Sequence, residues 1–309
     1  MKLVAHYSLL HRVANQPAPE LPDLNPLITH WCGQRVRRID RYIQLCLAGA
    51  LGCVEDRTLP VETGVYIATR SGAVSTTATS MRHTEALGLP PKPMHFVNTL
   101  GNSAGYYLTQ LLGINGGALV VSQEQLSFEA AVLHAWLDLK LGRISTALVG
   151  GFDEVVPPTT QHLERLEVRE PCLALYEGSH WLLLEPQSDD GLDLEQPQWF
   201  STLEELHRWL SVLPASARVQ TSFIPDTIER ALFNALGLVC QSFAPEGGCP
   251  HGTFSGAALT SLVGDTLTAL GTTANAGKGS GTKEQTGMGL RVHIARSDQP
   301  PYAAIPISF

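Results

Sequence analysis

Residues 119–156 read LVVSQEQLSFEAAVLHAWLDLKLGRISTALVGGFDEVV, and no other stretch restricts the fold as much. A short apolar run gives way to a polar turn around Gln125. A long segment with apolar residues at helical spacing follows, and then a second apolar run that ends in Gly150 and Gly151. Strand, turn, helix and strand in that order make a βαβ unit, the building block of a mainly parallel sheet. The helical segment places Leu126, Val132, Leu133, Trp136, Leu137 and Leu141 on an apolar face and leaves Glu129, Asp138 and Lys140 for solvent.

The rest of the chain continues the alternation. Residues 1–10 read as a strand, a proline-rich loop follows (Pro17, Pro19, Pro22, Pro26), and a helix is expected from about Arg38. The polar stretch 187–198, QSDDGLDLEQPQ, marks a hinge and divides the chain into halves at 1–190 and 191–309. Beyond it, STLEELHRWL reads as a helix capped by Ser201 or Thr202, with Glu204 and Glu205 in its first turn. A strand over 217–223, helices over 224–236 and 257–270, and a final strand over 289–296 complete a second strand–helix–strand half. The expected fold is therefore α/β, built from two packed βαβ halves.

Composition excludes several classes of function. Hydrophobic residues at 44% and charged residues at 16% describe an ordinary globular chain. A net charge of −8 opposes a nucleic-acid surface, which needs clustered Lys and Arg. The cysteines, Cys32, Cys46, Cys53, Cys172, Cys240 and Cys249, are scattered and form no Cys-x-x-Cys pair. Reduced thiols and a cytoplasmic setting are expected, with no metal site and no cofactor. No run approaches the roughly 20 apolar residues that span a bilayer, and the N-terminal run is broken by His6 and His11.

Several segments in order carry a family resemblance. RRIDRYIQLCLAGALGCVED (37–56), GVYIATRSG (64–72), MHFVNTLGNSAGYYLTQLLGINGGALVVS (94–122), YEGSHWLLLEP (176–186) and IPDTIERALFNAL (224–236) accompany the 119–156 unit. Together they resemble the β-ketoacyl synthases, whose fold is thiolase-like, in α-β-α-β-α layers. The resemblance implies that the turn before the long helix is a nucleophile elbow. There a cysteine sits at a helix N-terminus that favours its thiolate. Counted back from Gly142 and from Gly150 and Gly151 without a gap, the cysteine's place falls on Gln125, and a carboxamide cannot serve as that nucleophile.

The condensing members also need two histidines in the second half. The strand that would carry the first reads RVQTSFIP and has none. The second motif resembles CPHGTFSGAALTSL, where His251 is either a remnant of the old site or a helix-start histidine without chemical duty. The latter is favoured, because a histidine without its nucleophile cannot run a condensation. GTTANAGKGSG (271–281) has the wrong spacing for a phosphate-binding loop and is assigned to the family's glycine-rich loop. GTFSG (252–256) places its serine one residue late for a hydrolase elbow.

The resemblance implies a non-condensing subunit like the chain-length factors of type II polyketide systems, which also carry glutamine at the elbow. An aryl polyene system would be one setting. The expected partner is an active β-ketoacyl synthase, with an acyl carrier protein as a further one. The strand Leu119, Val120, Val121 and Ser122 would pair edge to edge across the dimer, and Met94, His95 and Phe96 would lie near the neighbour's acyl tunnel. The alternatives are a decarboxylase or acyltransferase using Gln125 and His251, and a structural homodimer that binds a carrier protein.

Overall fold

The computed structural model describes residues 1–16, 19–165, 174–187, 191–243, 253–269, 289–297 and 300–308. The first half runs β1 (Lys2–Ala14), α1 (Asn25–Cys32), α2 (Arg41–Val54), β2 (Gly64–Ala68), α3 (Val74–Leu87), α4 (Pro93–Asn98) and α5 (Ser103–Leu112). It continues with β3 (Ala118–Val121), α6 (Ser127–Lys140), β4 (Ala147–Asp153), α7 (Thr159–Arg165) and β5 (Ala174–Glu185). After the short β6 (Leu192–Leu194), the second half runs β7 (Gln198–Phe200), α8 (Leu203–Leu210), β8 (Arg218–Thr221) and α9 (Thr227–Ala235). It ends with β9 (Val239–Ser242), α10 (Thr253–Ala269), β10 (Leu290–Arg296) and β11 (Tyr302–Ser308).

Strand pairing shows that one plan is used twice. In the first half β3, β2 and β4 are parallel, β5 is antiparallel to β4, and β1 is antiparallel to β5. In the second, β9, β8 and β10 are parallel, β11 is antiparallel to β10, and β7 is antiparallel to β11. The connections correspond too, with α2 matching α8 and α6 matching α10. Where the first half inserts α3, α4 and α5 between parallel strands, the second has α9 alone, so the second half is the shorter.

Alternation along the strands sorts the apolar side chains into layers. Leu148 and Phe152 of β4 join Ile43, Leu47 and Leu51 of α2 on one outer face. Ala147 and Val149 join Phe128, Val132 and Ala135 of α6, Leu259 and Val263 of α10, and Ile305 and Ile307 of β11 in the middle. Val292 and Ile294 of β10 pack with Leu206 and Leu210 of α8 and Phe233 of α9 on the other outer face. The two central helices lie between two layers of strands, which gives the α-β-α-β-α order of the thiolase-like fold.

Local chemistry fixes the element ends. The Asp40 carboxylate accepts from Ile43 N and caps α2. Asp226 accepts from the N–H groups of Ile228 and Glu229, and the Glu229 side chain returns to Asp226 N, a complete capping box for α9. Gly142 follows α6 with φ +66°, the left-handed region that glycine enters without a steric cost. A Cβ on Gly150 would stand 2.1 Å from the Trp181 ring, and one on Gly151 2.6 Å from Phe128. The glycine pair therefore lets an indole press on one face of β4 and a phenyl ring on the other.

Several expectations need correction. The proline-rich loop contains α1, with a proline in its first turn, and α2 begins at Arg41. The stretch read as a hinge carries β6, which pairs with both β1 and β11 and stitches the halves together. β11 follows the strand expected to be last, and pairs with it along its length. Thr202, not Ser201, caps α8. On α6, Glu129 is fully buried while Leu137 and Leu141 are exposed. A helix held between two sheets buries both flanks near its start, so a one-sided apolar stripe misassigns its faces.

Candidate functional site

The turn that carries Gln125 lies between the C-terminal end of β3 and the start of α6. Glu124, Gln125 and Leu126 form a single 3₁₀ turn, and Gln125 is half-buried. Glu124 has φ +49°, a left-handed backbone in a residue that has a Cβ, so the turn is bent against its intrinsic preference. The Ser127 hydroxyl holds the bend, donating to Glu124 O at 2.6 Å while it accepts from Gln123 N at 2.8 Å.

The second half closes over this turn. Leu126 is buried against Ala295 and Ala303 from the β10–β11 hairpin. Ser297, just beyond β10, donates its hydroxyl to Glu124 Oε2 at 3.0 Å. Glu129, in the first turn of α6, meets His293 of β10 at 2.8 Å, Oε1 to Nε2, and both side chains are fully buried. The start of α6 is thus anchored to the other half by an apolar contact and two polar ones.

Around it the ends of the parallel strands are tied by buried carboxylates. Asp153 accepts from Thr69 Oγ1 and from the N–H groups of Arg70 and Ser71. Burial raises its pKa, and those hydrogen bonds pull it back. Glu154 accepts from Ser75 N and Ser75 Oγ, both at 2.7 Å, and burial pushes its pKa up to about 7. On the inner face of β5, His180 shares a hydrogen bond with Ser8 through Nδ1 at 2.8 Å. Burial drives its pKa down to about 3, which keeps the ring neutral.

The other expected residues are placed as follows. Leu119, Val120 and Val121 belong to β3, whereas Ser122 lies just past its end and donates to Arg70 O at 3.2 Å. Among the described residues β3 is the outermost strand of the first half and is paired on one side only, to β2. It is partly exposed along its length, with Leu119 38% exposed, so the strand before the turn is not buried as its apolar sequence implies. Met94, His95 and Phe96 sit on α4 and are exposed; Met94 and His95 line one cleft and Phe96 a second. His251 and residues 271–281 lie outside the described residues.

In the loop after β8, where the resemblance calls for a histidine, Thr221 donates to Phe223 O and Ser242 Oγ donates to the same carbonyl. Those hydroxyls serve the loop's own backbone. The Glu129–His293 pair, the left-handed Glu124 and the raised Glu154 carry no sequence signal of their own. Only the approach of β10 to α6 and the closing of α3 on β4 create them.

Known proteins share this geometry. The model for the β-ketoacyl synthase N-terminal domain matches residues 15–167. No curated protein matches the sequence. The fold is similar to that of the type II polyketide ketosynthase of the AntDE:AntF complex, described with its acyl-carrier protein and bound to the hexaketide. The TM-score is 0.69 at 12% identity, over 100% of this chain and 99% of that one. The ishigamide ketosynthase/chain length factor gives 0.68 at 14% identity over 99% and 98%. The oxazolomycin ketosynthase domain OzmH KS7 of Streptomyces albus JA3453 gives 0.63 at 13% identity over 88% of this chain and 60% of that one. Residues 15–167 match the β-ketoacyl synthase N-terminal domain, and the chain as a whole has the fold of these ketosynthases.

Proposed function

We propose that this chain is a non-condensing subunit that pairs with an active β-ketoacyl synthase, in the manner of a chain-length factor. One observation carries the reading: Gln125 occupies the strained turn between β3 and the start of α6, where the resemblance calls for the cysteine nucleophile. A carboxamide forms no acyl thioester. Its geometry suits filling and hydrogen bonding the elbow while the partner performs the condensation.

The one-sided β3 supports a partner at that edge, since an open apolar strand edge is an aggregation hazard unless something pairs with it. Met94 and Phe96 on the exposed α4 would then face the neighbour, and the division at residue 190 would separate a partner-facing half from a shorter supporting half. One of the similar folds is described as a ketosynthase/chain length factor, and another is described with its acyl-carrier protein, which makes such partners a reasonable expectation here. The setting, an aryl polyene or another type II product, follows from the partner.

Co-expression with a candidate partner β-ketoacyl synthase tests the reading. The two chains are expected to elute together, condensation is expected to need both, and this chain alone is expected to leave malonyl-carrier thioester unconsumed. A chain that purifies as a monomer and leaves the ketosynthase's activity unchanged overturns the proposal. Consumption of malonyl thioester by the isolated chain would favour the decarboxylase alternative.

A further inference from the structure

Helix α9 turns one side toward the edge strand β9. Arg230, Phe233 and Asn234 stand three and four residues apart and so share a side of the helix. On β9, Cys240 and Ser242 alternate with their neighbours and share a face of the strand. With Ile224 and Pro225 from the loop before the helix, these residues line a cleft of about 390 Å³, within the size range of small-molecule sites. Among the described residues the pairing order ends at β9, so the cleft lies at a margin of the sheet. None of its lining belongs to β3, α3, α4 or α5, the elements assigned to the partner.

The floor of the cleft is uncharged. Phe233 is 1% exposed, and burial pushes the Cys240 thiol up to about 11, so it stays protonated at neutral pH. The Ser242 hydroxyl is engaged by Phe223 O at 2.8 Å. At the rim, Ile224 is 57% exposed and adds an apolar lip.

Arg230 supplies the one cation of the lining among the described residues. Its Nε donates to Pro225 O at 2.7 Å, which pins the guanidinium beside the cleft. The residue is exposed, and its two Nη groups make no hydrogen bond and no ion pair with the described residues. The neighbouring acids are engaged elsewhere: Glu229 meets Arg296 and Tyr302, and Asp226 caps α9. A planar fork of N–H donors, fixed and reachable from solvent, matches a carboxylate in both geometry and charge. Asn234, exposed on the next turn, adds an amide to the rim. A phosphate monoester would bring close to two negative charges with no second cation to meet them, so the lining favours the singly charged group.

We propose that the α9–β9 cleft binds a small monocarboxylic acid with a short aliphatic or aryl body. The carboxylate lies on the Nη groups of Arg230, and the body lies along Phe233, Cys240 and Ile224. At a liquid-like 30 Å³ or so per small group, the cleft holds roughly a dozen non-hydrogen atoms. The inference uses this chain alone and stands apart from its pairing with a ketosynthase.

A matched pair of probes tests it, phenylacetate and phenylacetamide, which share a body and differ in charge. Binding to the full chain, alone or in whatever complex it purifies, is followed by calorimetry and by the amide resonances of α9 and β9. The acid is expected to bind about tenfold more tightly than the amide at low salt, with shifts centred on those two elements. Arg230→Gln is expected to bring the two within about twofold. Ile224→Asp, which keeps Arg230 and places a negative charge at the rim, is expected to weaken the acid and leave the amide unchanged. It serves as the second variant should Arg230→Gln fail to fold. Equal binding of acid and amide, shifts remote from α9 and β9, or an absence of binding overturns the proposal. So does a preference for the acid that both variants leave untouched.

Discussion

Glu154 is the carboxyl group with the most to say about solution behaviour. Its pKa is raised from 4.5 to about 7 because burial penalises the anion more than the two Ser75 hydrogen bonds favour it. A raised carboxyl pKa means that the folded state binds the extra proton between those two values. Stability is therefore lost as pH rises from about 4.5 to about 7, by roughly 3 kcal/mol at about 1.36 kcal/mol per pH unit, and is level above that. Glu154→Gln keeps both contacts to Ser75 and has no proton to lose. Urea unfolding across pH 5 to 8 is expected to show the variant gaining on the native chain through that window. Parallel curves would show that Glu154 titrates as an ordinary surface carboxyl. The thiols argue in the same terms. Burial drives Cys46 well above the ordinary thiol range, Cys53 up to about 12 and Cys240 up to about 11, so these cysteines hold almost no thiolate at neutral pH. Intact-mass spectrometry after incubation with an acyl-carrier thioester is expected to show no covalent adduct. An adduct that vanishes on replacing Cys172 or Cys249 would locate a nucleophile away from the elbow.

Elements show what could be read from the chain and what could not. The β3–turn–α6–β4 unit was legible because its signals are local: two apolar runs, a polar turn, and glycines at fixed spacing. The helix over 224–236 was legible for the same reason, although its Asp226–Glu229 capping box was not read from the sequence. α1 was hidden among prolines that begin a helix as readily as they end one. β6 was hidden because three residues inside a polar stretch become a strand only when β1 and β11 stand on either side. Glu129 was misread as a solvent residue because its partner, His293, is 164 positions away. Replacing either member removes the buried Oε1–Nε2 contact, a loss of about 1–3 kcal/mol by the usual worth of a buried polar contact. Glu129→Ala is expected to fall in that range in chemical denaturation, and a change below about 0.5 kcal/mol would mean that the Glu129–His293 contact adds nothing to the hold on α6. Gly150 gives the steric counterpart. A methyl group 2.1 Å from Trp181 must push the indole or the strand, so Gly150→Ala is expected to cost about 1–3 kcal/mol, and Trp181→Leu in the same chain to recover part of it.

For the whole molecule the open question is what covers the outer edge of β3. The pairing order ends there: β2 takes one side of the strand, and Val120 and Val121 are partly exposed on an element that is apolar throughout. The apolar exposure continues onto the neighbouring helices, at Met81 (59%), Phe96 (57%), Val97 (45%), Leu100 (47%) and Tyr106 (62%). Residues of this kind, adjoining an unpaired edge, fit an obligate interface better than a solvated face. Such interfaces bury roughly 2,000 Å² or more, enough to make stability depend on the partner. Val120→Asp or Val121→Asp would put a carboxylate on the edge strand, on a side chain that also packs partly against this chain's own core, and is expected to abolish co-purification with the ketosynthase while the variant keeps its far-UV circular dichroism. Gln125→Ala, in a turn fixed by Ser127, Leu126 and the hairpin above it, is expected to leave the complex intact and at most to change the length of the product. The two results must differ for the proposal to hold. If the aspartate variants still co-purify, the edge is not the interface. If Gln125→Ala alone disrupts assembly, the elbow contacts the partner instead of filling its own turn.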